Sequence, residues 1–159
     1  MRKQILFLLI SGLLSCSKSN SGGGGGNTTP PPPAPTFIFK GADISWLTQM
    51  ESSGKIFYNS SGTAEDCIQI LKNLGMNSIR LRVWVNPAGG WNNTADVLVK
   101  ATRAKNLGMK ILIDFHYSDS WADPGQQNKP AAWAAQDFAT LQTSVYDHTF
   151  NVLTALKAG

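Results

Sequence analysis

Residues 114–124 read Asp114-Phe115-His116-Tyr117-Ser118-Asp119-Ser120-Trp121-Ala122-Asp123-Pro124, which crowds carboxylates, an imidazole and an indole into one short run. Arg80 and Arg82 stand two apart, followed by Trp84, Asn86 and Trp91, and Asp43, Ser45 and Trp46 form an earlier group. Aromatic faces pack on the apolar C–H faces of sugars, while Asp, His, Asn and Arg hydrogen-bond hydroxyls. The mixture suits a carbohydrate groove. A metal site is the rival chemistry, with His116, Asp114, Asp119 and Asp123 as ligands. The chain has only two His, His116 and His148, and no His-x-His or His-Glu-x-x-His spacing.

These groups need elements to position them, and the sequence reads as alternating strands and helices. A first strand runs over 37–44, a second over 78–85 and a third over 109–116. Helical periodicity covers 63–74, with apolar residues at 64, 67, 68, 71 and 74 and Thr63 as a cap. A second helix runs over 93–107, and a third helical stretch over 131–156 divides in two. Asn73-Leu74-Gly75-Met76-Asn77 precedes strand two and Asn106-Leu107-Gly108-Met109-Lys110 precedes strand three, an internal repeat 33 residues apart. Each Gly ends a helix and the chain then enters a strand. Such repeats argue a parallel α/β sheet. The strand runs are apolar on both faces at their centres, as a covered parallel sheet requires. Alternate residues of a strand share a face, so Arg80 and Arg82 point the same way. In an α/β barrel the chemistry lies on the loops after the strands, where all of the groups above fall.

The 159-residue chain carries 15% charged residues, below the typical ~25%. With 42% hydrophobic residues and five Trp, it is not a disordered chain. Its formal charge of +4 includes Arg2 and Lys3 of an export signal, leaving +2. No basic run remains, so nucleic acid is not an expected partner. Nothing indicates an oligomer.

Met1-Arg2-Lys3 is a positive head, and the apolar run that follows is too short for the ~20 residues of a membrane span. The run stops at Leu13-Leu14-Ser15-Cys16, which resembles a bacterial lipobox. Residues 1–15 are then a signal peptide, and Cys16 is lipidated and holds the protein at a membrane. A plain signal peptide with an incidental Cys is the alternative. Residues 16–36 form a linker, with Gly22–Gly26 flexible and Pro30–Pro33 stiff. The expected location is the bacterial cell envelope, lipid-anchored at the outer membrane, or export. Cys67, the other cysteine, has no partner for a disulfide and is read as a buried small hydrophobe.

Three runs together resemble glycoside hydrolase family 53, the arabinogalactan endo-β-1,4-galactanases. They are Lys40-Gly41-Ala42-Asp43-Ile44-Ser45-Trp46, then Asn77-Ser78-Ile79-Arg80-Leu81-Arg82-Val83-Trp84-Val85-Asn86-Pro87, then 113–126 with Lys129-Pro130 and Trp133 after it. The resemblance covers nearly all of 37–159. It implies a (β/α)8 barrel, of which this chain holds the first three βα units, and retaining cleavage of β-1,4-galactan by the full-length parent. The chain is then expected to be the N-terminal portion of something longer. The resemblance implies that Arg80 orients the nucleophilic carboxylate, an ordinary barrel ion pair being the alternative. Arg82 either contributes to the site or packs beneath it. The resemblance also implies that His116 contacts substrate, with a histidine bonded to Asp114 as the alternative. Asp119, Trp121 and Asp123 lie on the loop over the groove, Asp43 and Trp46 stand near the same site, and Trp84 and Trp91 line a sugar subsite or the core. Trp133 belongs to helix packing.

A retaining glycosidase needs two carboxyls about 5–5.5 Å apart. The family places them as glutamates after strands four and seven, beyond residue 159. This chain has only Glu51, read in the loop after strand one, and Glu65, read in the first turn of a helix. No catalytic residue is therefore expected within the chain, which alone would be inactive. No cofactor is expected; calcium sites occur in some family members, and none is legible here. The alternatives are a non-catalytic carbohydrate-binding lipoprotein and a truncated gene product.

Overall fold

The computed structural model describes residues 37–159. The signal peptide, Cys16 and the linker lie outside the described residues. Three strands, β1 (Gly41–Asp43), β2 (Ser78–Val83) and β3 (Lys110–Phe115), form one parallel sheet in the order β1-β2-β3. Four helices accompany them: α1 (Leu47–Ser52), α2 (Cys67–Asn73), α3 (Thr94–Asn106) and α4 (Phe138–Ala158). Short 3-10 turns occupy Ala88–Gly90 and Ala131–Trp133.

The repeat behaves as read. Gly75 and Gly108 end α2 and α3 with φ of 86° and 67°, a left-handed backbone that suits glycine. Gly41 meets a different demand. A Cβ there would stand 2.6 Å from Ser78 Oγ and 2.7 Å from its carbonyl oxygen, so only glycine lets β1 lie this close to β2.

Four local readings are corrected. The cap of α2 is Asp66, whose side chain accepts from the amides of Ile68 and Gln69, not Thr63. Thr63 is three residues upstream, in a turn whose amide is held by Asn59 Oδ1. Glu65 therefore precedes the helix; its oxygens accept from the amides of Asn59 and Asn73. Glu51 lies on α1, a helix of six residues that is too short to announce itself by periodicity. Cys67 is half-buried beside the core, and burial, with Asp66 and Glu51 nearby, pushes its thiol up and keeps it protonated.

The helices all cover one face of the sheet. Ile79, Leu81 and Val83 of β2 pack with Ile68, Val97, Ala101, Ala104, Met109 and Val152, so the core lies between the sheet and its helices. The other face carries Arg80 and Arg82, and on β3 Leu112 is 59% exposed there. Right-handed crossovers in one direction put every helix on the same side, as in the wall of a barrel.

Behind β3, α4 brings His148 into a box of rings. Phe115, Tyr117 and Trp133 lie 6.1, 6.3 and 6.0 Å from it, all close to edge-on. Trp133 is buried there, as helix packing requires. Burial holds the imidazole below its ordinary value of 6.5. A depressed histidine contributes full stability above the unfolded value and loses it as pH falls below. Urea midpoints are expected to fall from pH 7.5 to 5.5, and His148→Phe to flatten that fall. An unchanged slope in the variant would refute the assignment.

Candidate carbohydrate site at the strand ends

Parallel strands deliver their C-terminal ends to one rim, and the structure gathers most of the sequence-predicted residues there. Asp43 ends β1. Its Oδ1 accepts from the Ser45 amide at 2.9 Å and from Ser45 Oγ at 2.6 Å, and its Oδ2 pairs with Arg80. Burial alone would raise the Asp43 carboxyl; the Ser45 bonds and Arg80 outweigh it and hold the carboxyl below the usual aspartate range. Arg80 also pairs with Asp114 of β3, which stands in register opposite Arg82 and is reached diagonally. His116 Nε2 is 2.8 Å from the same Asp114 oxygen. Asp43, Arg80, Asp114 and His116 thus form one continuous chain of charge-assisted contacts. Arg80 is accordingly a rim ion-pair residue among the described residues, with both ends of its fork occupied.

Arg82 differs in every respect. It is 2% exposed, and its guanidinium carbon lies 4.9, 4.7 and 4.8 Å from the ring centroids of Trp46, Trp84 and Trp121. Ser45 Oγ accepts from its backbone amide at 2.8 Å. Among the described residues its Nε and Nη2 have no hydrogen-bond partner. Burial pulls its ionisation below the ordinary arginine value. Three indoles from three different strand ends therefore clamp a charge with donors to spare. Trp84 is 5% exposed and sits edge-on to Trp46, leaving little surface for a ligand, whereas Trp46 and Trp121 are 43% and 47% exposed.

The loop after β3 is held by its own carboxylates. Asp119 accepts from the amides of Asn86 and Ala131, both at 2.9 Å, and so ties the loop after β2 to the start of the turn before α4. Both of its oxygens serve the backbone. Asp123 accepts from Trp121 Nε1 at 3.0 Å and from the Gly125 amide at 2.7 Å, and Trp121 in turn lies 5.8 Å from the His116 ring. Beside them opens a cavity of about 470 Å³ lined by Asp114, His116, Tyr117, Asp123, Asn128 and Lys129. Trp91 is not gathered; it follows the 3-10 turn and makes no ring contact with Trp46, Trp84 or Trp121 among the described residues. The two glutamates are away from this rim. Glu51 makes a two-point pair with Arg103 at 2.8 Å, and Arg103 also reaches Asp66. No group of three or more His, Cys, Asp or Glu side chains is arranged to hold a metal among the described residues.

The sequence reading missed Lys100. It is fully buried on α3, and its ammonium donates to Asp96 Oδ2 at 2.6 Å, to the Ser45 carbonyl at 2.8 Å and to Asn92 Oδ1 at 3.2 Å. Asp96 Oδ2 also accepts from the Asn92 amide at 2.6 Å, and the Asn92 carbonyl accepts from the Trp84 amide at 2.8 Å. One lysine thereby fixes the segments that carry Trp46 and Trp84. The signal was present: Val97, Lys100, Ala101 and Ala104 recur at helical spacing, so Lys100 falls on the apolar stripe, with Asp96 four residues before it.

The profile of glycosyl hydrolase family 53 matches residues 39–159. An arabinogalactan endo-beta-1,4-galactanase A from Emericella nidulans is 44% identical over 114 residues, which is 72% of this chain and 33% of that protein. An endo-beta-1,4-galactanase from Bacillus subtilis is 41% identical over 118 residues, 69% of this chain and 28% of that protein. Among solved structures, a fungal beta-1,4-galactanase superposes with a TM-score of 0.73 at 38% identity, over 77% of this chain and 37% of that one. The Ignisphaera aggregans GH53 catalytic domain gives the same TM-score and identity over 82% of this chain and 38% of its own. The chain spans about a third of the length of these relatives. With the parallel order and one-sided helices, the likeness identifies residues 37–159 as the first three βα units of a (β/α)8 barrel.

Proposed function

Because this chain belongs to glycosyl hydrolase family 53, we propose that it supplies the N-terminal wall of an endo-β-1,4-galactanase that cleaves pectic galactan with retention. The observation that carries the reading is the rim itself: the exposed Trp46 and Trp121 meet over Arg82, and Trp121 lies beside His116, whose pair with Asp114 lines an open cavity. Indole faces take the apolar side of a galactose unit, and the polar groups take its hydroxyls. Both glutamates of the chain are engaged elsewhere, in pairs with Arg103 and with the Asn59 and Asn73 amides. The acid/base and the nucleophile of the double displacement therefore come from other parts of the polypeptide. Of the two arginines, Arg82 has the donors free to orient such a carboxylate, while Arg80 is held by Asp43 and Asp114.

The location belongs to the same reading. Met1-Arg2-Lys3, the short apolar run and Leu13-Leu14-Ser15-Cys16 support lipidation at Cys16 and a place on the bacterial cell envelope. A mass measurement of the mature N-terminal peptide tests it.

The test of activity compares two polypeptides on β-1,4-galactan: the 159-residue chain, and one extended by the codons that follow residue 159 in its gene. New reducing ends are expected from the extended polypeptide only. Hydrolysis by the 159-residue chain would overturn the assignment of both catalytic carboxyls. Binding to galactan with no hydrolysis by either form would favour a non-catalytic carbohydrate-binding lipoprotein.

A further inference from the structure

The end of the domain opposite the rim has a character of its own. In a βα unit the N-termini of the strands and the C-termini of the helices share one end. Lys40 precedes β1 and Lys110 opens β3, while Lys72, Lys105 and Lys157 occupy the last turns of α2, α3 and α4. Asn77 binds two of these segments to the start of β2. Its side chain accepts from the Lys40 amide at 2.9 Å and donates to the Ile38 carbonyl at 2.7 Å, and its own carbonyl accepts from the Lys110 amide at 2.8 Å. Lys105 Nζ donates to the Gly159 carbonyl at 2.8 Å, which sets it beside the end of α4.

All but the half-exposed Lys72 are exposed, and none of the five forms an ion pair among the described residues. Glu65, half-buried, is a carboxylate that reaches this side through the Asn73 side-chain amide. The carboxylates Asp43, Asp114, Asp119 and Asp123 belong to the opposite rim, and Asp137 caps the start of α4. The rim thus carries both signs, with Arg80 and Lys129 beside its carboxylates, while the opposite end presents lysines. Phe37 and Ile38, 51% and 65% exposed, stand next to Lys40. Lysines around exposed apolar and aromatic residues match the headgroup layer of a membrane.

The chain enters the described domain at Phe37, next to Lys40 and so at the lysine end. We propose that Lys40, Lys72, Lys105, Lys110 and Lys157 form a surface that rests on anionic phospholipid headgroups and turns the carbohydrate groove away from the membrane. This rests on the lipid-anchor reading of Cys16. The lipid chains hold the protein at the membrane without orienting it; the lysines set the orientation. A groove that faces outward meets a polymer that a tethered domain facing its own membrane would not reach.

The test uses the full chain, expressed with its own leader and recovered in the membrane fraction. A membrane-impermeant amine reagent is applied before and after solubilisation in detergent. Lys40, Lys105, Lys110 and Lys157 are expected to be protected in the membrane and to react in detergent, while Lys129, on the rim side, reacts equally in both. Equal labelling at the two ends would overturn the proposal. In a second arm the purified chain is mixed with vesicles of phosphatidylglycerol or of phosphatidylcholine. The acyl chains act equally on both compositions, so the difference between them reports the lysines. Lys40→Gln with Lys110→Gln is expected to weaken binding to phosphatidylglycerol about thirtyfold, with an unchanged far-UV spectrum. Binding that ignores this substitution, or lysine-dependent retention on polygalacturonate in place of vesicles, would also overturn it. An unacylated Cys16 peptide would sink the anchor reading separately, and the vesicle arm would still decide the surface.

Discussion

Asp96→Ala is expected to cost this chain about 3–5 kcal/mol of folding stability at neutral pH. The variant strips the counter-charge from Lys100, whose side chain is fully buried, and leaves an ammonium with the Ser45 carbonyl and Asn92 Oδ1 as its main partners. Truncating one member of a buried pair is worse than losing the pair, because the remaining charge keeps its desolvation penalty. The loss also frees the Asn92 amide, and Asn92 already holds a left-handed backbone with φ of 64°. Small domains have about 5–15 kcal/mol in total, so the variant stands near the limit of folding.

The pH dependence follows from the direction of the Lys100 shift. Burial lowers its ionisation below the ordinary 10.5, and Asp96 opposes that. Without Asp96 it falls further. The destabilisation is therefore largest at neutral pH and shrinks as alkali neutralises the folded-state amine first. Lys100→Met combined with Asp96→Ala is expected to recover most of the loss. Urea titrations of the single and double variants check this, and a double variant as unstable as Asp96→Ala would sink the explanation.

Arg82→Ala is expected to cost about 2–4 kcal/mol, as a void opens among Trp46, Trp84 and Trp121 and three ring contacts are lost. Arg82→Met is expected to be close to neutral. It refills most of the volume and removes Nε and Nη2, two buried donors that have no partner among the described residues. The pair of variants separates packing from charge. Thermal denaturation followed by tryptophan fluorescence reads both, and a methionine variant as unstable as the alanine one would mean that the guanidinium charge itself holds the cage. In a galactanase that carries this site, Arg82→Met should fold and lose turnover, the pattern of a residue kept for function at no benefit to stability.

Much of the fold was legible because its signals are local. A glycine after a helix, an alternating strand and an aspartate or asparagine at a helix start each act over a few residues. The helix starts show where such signals compete. Asn93 caps α3 as its position suggests, but Asp66 displaced Thr63 because its carboxylate reaches two amides at once. Six-residue α1 stayed hidden, since fewer than two turns give no period to detect. The clustering of Asp43, Arg80, Arg82, Asp114 and His116 followed from their common place at strand ends.

What the sequence by itself determined is the order of the βα units and the place of Asp43, Arg80, Arg82, Asp114 and His116 at the ends of parallel strands. What only the tertiary structure decided is how those residues divide the work. Arg80 and Arg82 are indistinguishable in sequence. The register that sets Asp43 opposite Arg80, with Asp114 two residues past its partner on β3, assigns one to an ion pair. The indoles of three separate segments assign the other to an aromatic clamp. The same holds for the lysines, scattered singly from residue 40 to residue 157, which no linear run reveals as a basic face. A side chain's partners come from strands and helices tens of residues away, and parallel pairing fixes those distances only when the sheet forms.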